Sequence, residues 1–186
     1  MLPINKICEI VGYTMWENEE GIICIETDQK PYFDLISARE LGKWEFEFTG
    51  DTENWSSSFM SLRVMDGYMT CESVSTSNDP TILFEAGNNF EMVASDFTRL
   101  EYKVRYKYTA SSRQPLTMYF ITDENPSWTE SRSLKALLKS YDSKGEWETY
   151  TIDLTKQSQW KDTITDLRFD PFNGVGMIEV DYIRFY

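Results

Sequence analysis

The sequence predicts an all-β protein: a jelly-roll β-sandwich of two antiparallel sheets, with a small helix-plus-hairpin appendage at its N-terminal end. Three observations carry that prediction. Apolar or aromatic residues alternate with polar ones in segment after segment, which is the period of a half-buried strand. Turn residues interrupt the chain roughly every 8–12 residues, the rhythm of sandwiches and jelly rolls. Aromatic residues make up 15% of the chain, as 6 Trp, 11 Tyr and 11 Phe, and such side chains favour pleated, half-buried surfaces. With 41% hydrophobic and 26% charged residues over 186 positions, the chain can build a core and is not of disordered composition.

The elements follow in order. Pro3 to Val11 carries Ile4, Ile7, Cys8, Ile10 and Val11 close to a helical stripe, and Gly12 stands where a helix C-cap glycine belongs. Tyr13 to Glu17 and Gly21 to Glu26 then predict two strands around the turn Glu17-Asn18-Glu19-Glu20-Gly21. Residues 28–43 form a polar connector containing Pro31 and the amphipathic segment DLISAREL. The main domain begins near Trp44, so the expected organisation is 1–27, 28–43 and 44–186. Trp44 to Phe48 alternates aromatic residues with Glu and reads as a strand. Leu62 to Thr70 predicts a hairpin around Asp66-Gly67, a preferred type I′ pair. Thr81 to Glu85, Leu100 to Tyr108, Leu116 to Thr122, Trp147 to Leu154, Thr165 to Phe169 and Met177 to Phe185 supply further strands. Ser133 to Lys139 has a helix-like pattern that a β context can convert to a strand. About ten strands result, enough for two packed sheets.

Composition excludes several kinds of function. A net charge of −13 repels phosphate backbones and anionic membranes, so nucleic acid is not an expected partner. Neutral ligands are indifferent to that field and cations are attracted. The chain has no His, which removes Ser-His-Asp and Cys-His schemes, imidazole acid–base chemistry and the usual zinc sites. Three cysteines, Cys8, Cys24 and Cys71, lack CxxC spacing and read as free thiols, with a Cys8–Cys24 bridge the remaining option. No apolar run reaches the length of a membrane span. The opening MLPINKICEIVGY lacks the basic and apolar regions of a secretory signal, so an exported parent protein would make this chain a fragment.

Two stretches resemble known families. LPINKICEIVGYTMWENEEGIICIE resembles about half of the copper amine oxidase N-terminal-like, or stalk, repeat. The shared pattern is a Pro-led helix ending in Gly, a Trp strand, an acidic turn and an Ile/Val-rich strand. That resemblance implies a spacer in a bacterial surface or secreted protein, not copper binding. In the second half, Lys144-Gly145-Glu146-Trp147-Glu148-Thr149-Tyr150-Thr151-Ile152-Asp153-Leu154, then Trp160, then Thr163 to Pro171 and Ile178 to Phe185 resemble jelly-roll carbohydrate-binding modules of bacterial glycoside hydrolases. Trp55, the Asp66-Gly67 hairpin, Asn78-Asp79-Pro80 and Tyr119-Phe120-Ile121-Thr122 agree with it. The resemblance, over about residues 44–186, implies a non-catalytic domain that binds a plant or microbial polysaccharide outside the cell, linked to neighbouring domains. It also implies one structural Ca²⁺, held in related modules by a Glu of the first strand and an Asp of the last; the matching positions are Glu47 and Asp181.

Strand parity locates a candidate glycan site. If Tyr102, Val104 and Tyr106 face the core, Arg105 faces out. If Met118 and Phe120 face in, Tyr119 faces out, and if Ile152 and Leu154 face in, Trp147 faces out; Arg168 and Asp170 are outward by the same logic. Were these strands to share one concave sheet, they would form an aromatic platform with charged hydrogen-bonding groups, which suits a pyranose ring and its hydroxyls. Trp128, in the turn-rich stretch Asp123 to Trp128, and Trp55, in Glu53-Asn54-Trp55-Ser56, are loop candidates, with Phe172-Asn173 behind them. Trp160, before a polar turn, reads as a cap on the core. The alternatives are an extracellular adhesion sandwich that binds protein and a jelly-roll glycoside hydrolase, which would need two carboxylates across a cleft.

Overall fold

The long alternating segments do become strands, and their neighbours in space are distant in sequence. The computed structural model describes residues 13–17, 23–27, 42–73, 79–84 and 90–186. The chain divides into two units, Met1–Asp34 and Leu35–Tyr186. In the first, β1 (Tyr13–Glu17) pairs antiparallel with β2 (Ile23–Thr27). The predicted helix over 3–11, the turn between these strands, the segment DLISAREL and Cys8 lie outside the described residues.

The second unit holds twelve strands among the described residues: β3 (Lys43–Trp44), β4 (Trp55–Ser58), β5 (Ser61–Met65), β6 (Tyr68–Ser73), β7 (Thr81–Phe84), β8 (Met92–Val93), β9 (Arg99–Thr109), β10 (Pro115–Thr122), β11 (Ser133–Leu137), β12 (Glu148–Asp153), β13 (Thr163–Asp170) and β14 (Val175–Phe185). They form two antiparallel sheets, ordered β12-β9-β14-β6-β5 with β3 on β14, and β11-β10-β13-β7-β4 with β8 on β13. The chain crosses between sheets repeatedly, giving a jelly-roll β-sandwich. Along β9 the even positions from Leu100 to Tyr108 are buried and Lys103 and Arg105 are not. On β10, Leu116, Met118 and Phe120 are buried while Tyr119 is partly open. Each sheet therefore turns one face to a shared core.

Aromatic rings fill that core. Trp44 of one sheet meets Trp55 and Phe84 of the other edge-on, with centroids 5.5 and 5.1 Å apart. Trp160 does what its position suggested. It stacks on Phe185 at 5.4 Å, meets Phe120 edge-on at 5.0 Å, and donates its indole N–H to the Ala94 carbonyl at 2.9 Å. It thus joins the last strand of one sheet to a central strand of the other. The Asp66-Gly67 hairpin also forms as read: Met65 pairs with Tyr68, and both turn residues have positive φ, 56° and 82°, as a type I′ turn requires.

One reading needs correction. The strand expected over Trp44 to Phe48 stops at Trp44. The Glu53 carboxylate accepts the Phe46 N–H at 2.6 Å and the Glu45 N–H at 3.1 Å, and Phe46 takes a φ of 53°. A side chain replaces the ladder partner there. The helix-like stretch from Ser133 is strand β11, because it pairs with β10 from Pro115 to Tyr119. The short strands β4 and β8 had no alternation to announce them. Cys71 is a free, buried thiol.

Two bulges adjust what faces outward. Opposite β9, β14 places Val180 against Val104 and then Tyr182 against Lys103, leaving Asp181 as an extra residue. Asp181 and Tyr182 both escape burial, whereas Val180 and Ile183 are buried. A similar shift occurs where β10 and β13 meet at Ile121 and Thr122. Bulges re-aim side chains in this way.

Candidate functional site

Parity was right strand by strand, but the strands do not share a sheet. Arg105 and Trp147 lie on the outer face of the β9 sheet. Tyr119 and Arg168 lie on the outer face of the β10 sheet. The single platform expected from sequence is two surfaces on opposite sides of the sandwich, since alternation fixes in and out but not which sheet a strand joins.

On the β10 sheet, Tyr119 and Arg168 are register partners. The guanidinium carbon lies 5.2 Å from the centroid of the Tyr119 ring. Asp170, two residues along the same face of β13, accepts from Arg168 Nε at 2.8 Å and from Nη2 at 2.6 Å. Asp79 accepts from Nη2 at 2.9 Å. A two-pronged carboxylate pair fixes the plane of a guanidinium as well as its position. The Tyr119 hydroxyl donates to Glu130 Oε2 at 2.8 Å, and Lys135 Nζ donates to the other Glu130 oxygen. Next to them opens a hollow of about 150 Å³ lined by Gln114, Pro115, Thr117, Tyr119, Lys135, Asp170, Phe172 and Asn173.

The electrostatics follow from these contacts. Burial, reinforced by the bond to Glu130, pushes the Tyr119 phenol up to about 12, so it stays a donor at neutral pH. Hydrogen bonds from Lys135 and then Tyr119 lower the Glu130 carboxyl. Burial raises the Asp170 carboxyl, against the pull of Arg168. The Arg168 guanidinium is raised by its bond to Asp170. The result is a row of planar polar groups, each held by another, beside an aromatic ring.

The other candidates are spread more widely. Trp128 is 37% exposed on the β10–β11 loop, which also carries Glu130. Arg132 braces that loop through Nη2 to the Ser127 carbonyl at 2.5 Å. Trp55 is 2% exposed, between Trp44 and Phe84. It is a core residue and presents no ring to a ligand, because its strand turns it inward opposite Phe84. Phe172 is buried, stacked at 5.3 Å on Tyr108. Asp170 joins Arg168 on this face as parity expected, while Glu130, Lys135 and Asp79 complete it without having been singled out. Asp79 lies 89 residues from Arg168 and has no local signal.

The calcium expectation rests on Glu47 and Asp181. Glu47 is exposed after β3, and Asp181, in the β14 bulge, is ion-paired with Lys103. Among the described residues no three His, Cys, Asp or Glu gather as ligands. Calcium takes about six to eight oxygens, so backbone carbonyls or water would have to complete the set.

No family profile and no curated protein matches the chain. Among solved structures, it is similar to a family 29 carbohydrate-binding module complexed with cellulohexaose, at TM-score 0.48 and 9% identity, covering 77% of this chain and 89% of that one. It is also similar to a second family 29 module, a point mutant, at TM-score 0.47 and 10% identity, covering 75% and 86%. A family 4 module gives TM-score 0.44 and 14% identity, covering 76% and 97%.

Proposed function

We propose that this chain is a non-catalytic carbohydrate-binding module that holds a polysaccharide across β10 and β13. The observation that carries the reading is the Tyr119–Arg168 pair. An outward tyrosine and a guanidinium fixed in plane by Asp170 and Asp79 stand on register-opposed positions of two strands, beside a polar hollow. Sugars need such pairing: an apolar ring for the pyranose C–H face and rigid, planar donors and acceptors for adjacent hydroxyls. Because the groups are held before the ligand arrives, little ordering cost remains. Trp128, on the loop at the end of the face, extends the aromatic surface.

Binding suits this site better than catalysis. Asp79, Asp170 and Glu130 are each bonded to a cation, which fits them to orient hydroxyls rather than to exchange protons. The exposed apolar residues Phe59, Met65, Val93, Leu137 and Val175 are spread over both sheets and a turn, so among the described residues a protein-adhesion surface has no evident centre. Through its resemblance to glycoside hydrolase modules and the stalk-like N-terminal stretch, the same reading puts the chain in a secreted or surface-anchored bacterial protein with linked domains.

The test is calorimetric titration of the 186-residue chain with xylan, mixed-linkage β-glucan, glucomannan and galactomannan. Selective binding to one of them is expected. Tyr119→Ala and Arg168→Ala should each weaken it at least about tenfold, the loss of about 1.4 kcal/mol, with far-UV circular dichroism unchanged. Binding that survives both substitutions would refute the assignment, as would failure to bind any of the four glycans.

A further inference from the structure

The outer face of the opposite sheet carries a second constellation. Lys103, Arg105 and Lys107 form a column of cations along β9. Trp147, one residue ahead of β12, and Tyr68 of β6 meet over Arg105. The guanidinium carbon lies 4.7 and 4.8 Å from their ring centroids, and the rings meet edge-on at 5.7 Å. Glu179 accepts from Arg105 Nε. Beside this cluster is a hollow of about 330 Å³ lined in part by Arg105, Lys107, Asp142, Lys144, Met177 and Glu179. A wider hollow of about 510 Å³ shares Lys107, Asp142 and Met177 with it and is also lined by Glu72 and by Tyr141, which is 42% exposed.

The charge balance of the first hollow runs against that of the whole chain. Net charge is −13, yet the first hollow sets three cations against two carboxylates. Both carboxylates are engaged, Glu179 by Arg105 and Asp142 by Lys107 at 3.5 Å. Among the described residues no carboxylate pairs with the Lys144 ammonium. The Lys144 side chain is exposed, but its backbone is fixed. It sits with Gly145 in a tight turn, both at positive φ, closed by the Glu146 N–H to the Ser143 carbonyl at 3.0 Å. Ser143 ties that turn to β9, donating its N–H to the Tyr106 carbonyl at 2.9 Å and accepting the Tyr106 N–H on its hydroxyl at 3.0 Å. The Tyr119 face has the opposite balance, with Arg168 and Lys135 among Asp79, Glu130 and Asp170.

We infer that this groove is a second binding site and that it takes an acidic sugar, a uronate residue of a polysaccharide. Arg105 and Lys144 receive the carboxylate, and Tyr141 and Met177 offer apolar surface to the ring. The flat guanidinium, already oriented by Glu179 and two rings, offers its remaining N–H donors to a carboxylate. The inference does not depend on the Tyr119 face, which lies on the other sheet; together the two faces would let one domain bridge a neutral and an acidic chain.

The experiment titrates the full chain with polygalacturonate and with dextran sulfate at NaCl from about 0.01 to about 1 M, over which the screening length falls from about 30 to about 3 Å. Polygalacturonate should bind at low salt, weaken steeply as salt rises, and bind more tightly than dextran sulfate. Arg105→Gln and Lys144→Asn should each weaken it at least about fivefold. Asn tolerates the left-handed backbone at position 144, so this variant folds even if Arg105→Gln does not. Lys161→Gln, an equal loss of charge on the connection into β13, should leave it unchanged. Absence of polygalacturonate binding, tighter binding of dextran sulfate, or equal losses from Lys161→Gln and Lys144→Asn would each overturn the inference. Dependence on Arg105 and Lys144 in a chain that ignores every neutral glycan would uphold it while refuting the Tyr119 reading.

Discussion

Replacing Trp160 by Ala should remove a large share of the domain's stability while leaving the Tyr119 face untouched. The indole stacks on Phe185 with an interplanar angle of 5° and meets Phe120 at 80°. Its N–H reaches the carbonyls of Ala94 at 2.9 Å and Phe97 at 3.3 Å. Truncating a large buried aromatic to Ala costs about 3–5 kcal/mol. Trp160 is only partly buried, so the lower end, about 3 kcal/mol, is expected. The parts agree with that figure: two ring pairs at about 0.5–1.5 kcal/mol each, plus about 1 kcal/mol for the hydrogen bonds. For a domain of this size about 3 kcal/mol lowers the thermal midpoint by about 6–12 °C, measurable by calorimetry or circular dichroism. Trp160→Phe keeps an aromatic ring but deletes the N–H, and should cost about 1 kcal/mol. A loss below about 1 kcal/mol in the Ala variant, or equal losses in the two variants, would refute the view that this ring pins the two sheets together.

Three further expectations follow from single contacts. In Gly176→Ala the new Cβ would lie 2.5 Å from the Tyr108 Cα and 2.6 Å from the Lys107 carbonyl, so urea unfolding should show a loss of at least about 1–3 kcal/mol. Asp170 has a carboxyl raised above the usual 3.8, chiefly by burial. The folded state therefore binds this proton more readily than the unfolded one, so the group's contribution to stability is full in acid and is lost as pH rises through the folded value. Glycan affinity should run the other way, falling on acidification as the clamp on Arg168 is protonated, and Asp170→Asn should abolish that step; a wild-type acid profile indistinguishable from that of Asp170→Asn would contradict it. Burial pushes the Cys71 thiol far up, so it should not react with a disulfide reagent until the domain unfolds, and prompt reaction of the native chain at this position, followed by peptide mapping, would show the thiol to be accessible.

What could be read from sequence was what local chemistry decides. The alternation in Leu100 to Tyr108 and Leu116 to Thr122 names the buried face because successive side chains of a strand must point to opposite sides. Asp66-Gly67 names its turn because few residue pairs accept positive φ at both positions. Partners remote in sequence decided the rest. The break at Phe46 is imposed by Glu53, which takes over the backbone N–H groups. Ser133 to Leu137 is a strand because β10 offers it an edge. Half of the Tyr119 face was legible, as Tyr119, Arg168 and the outward parity of Asp170. Asp79 and Glu130 enter only through contacts made after folding, and the pairing of Arg105 and Trp147 with the other sheet depends on strand order, which alternation does not encode.

The β14 bulge makes the last strand unequal in its tolerance of deletions. Outward residues are Met177 and Glu179 before the extra residue and Tyr182 and Arg184 after it. Removing Asp181 alone would restore unbroken alternation through Phe185, at the expense of its ion pair with Lys103. Removing Ile178 or Ile183 instead would invert every later side chain and drive Phe185 or Arg184 to the wrong side. A deletion scan along Val175–Phe185 should therefore be most permissive at the bulge, where loss of Asp181 or Tyr182 alike restores alternation, and related chains that lack one residue in this strand should lack it there.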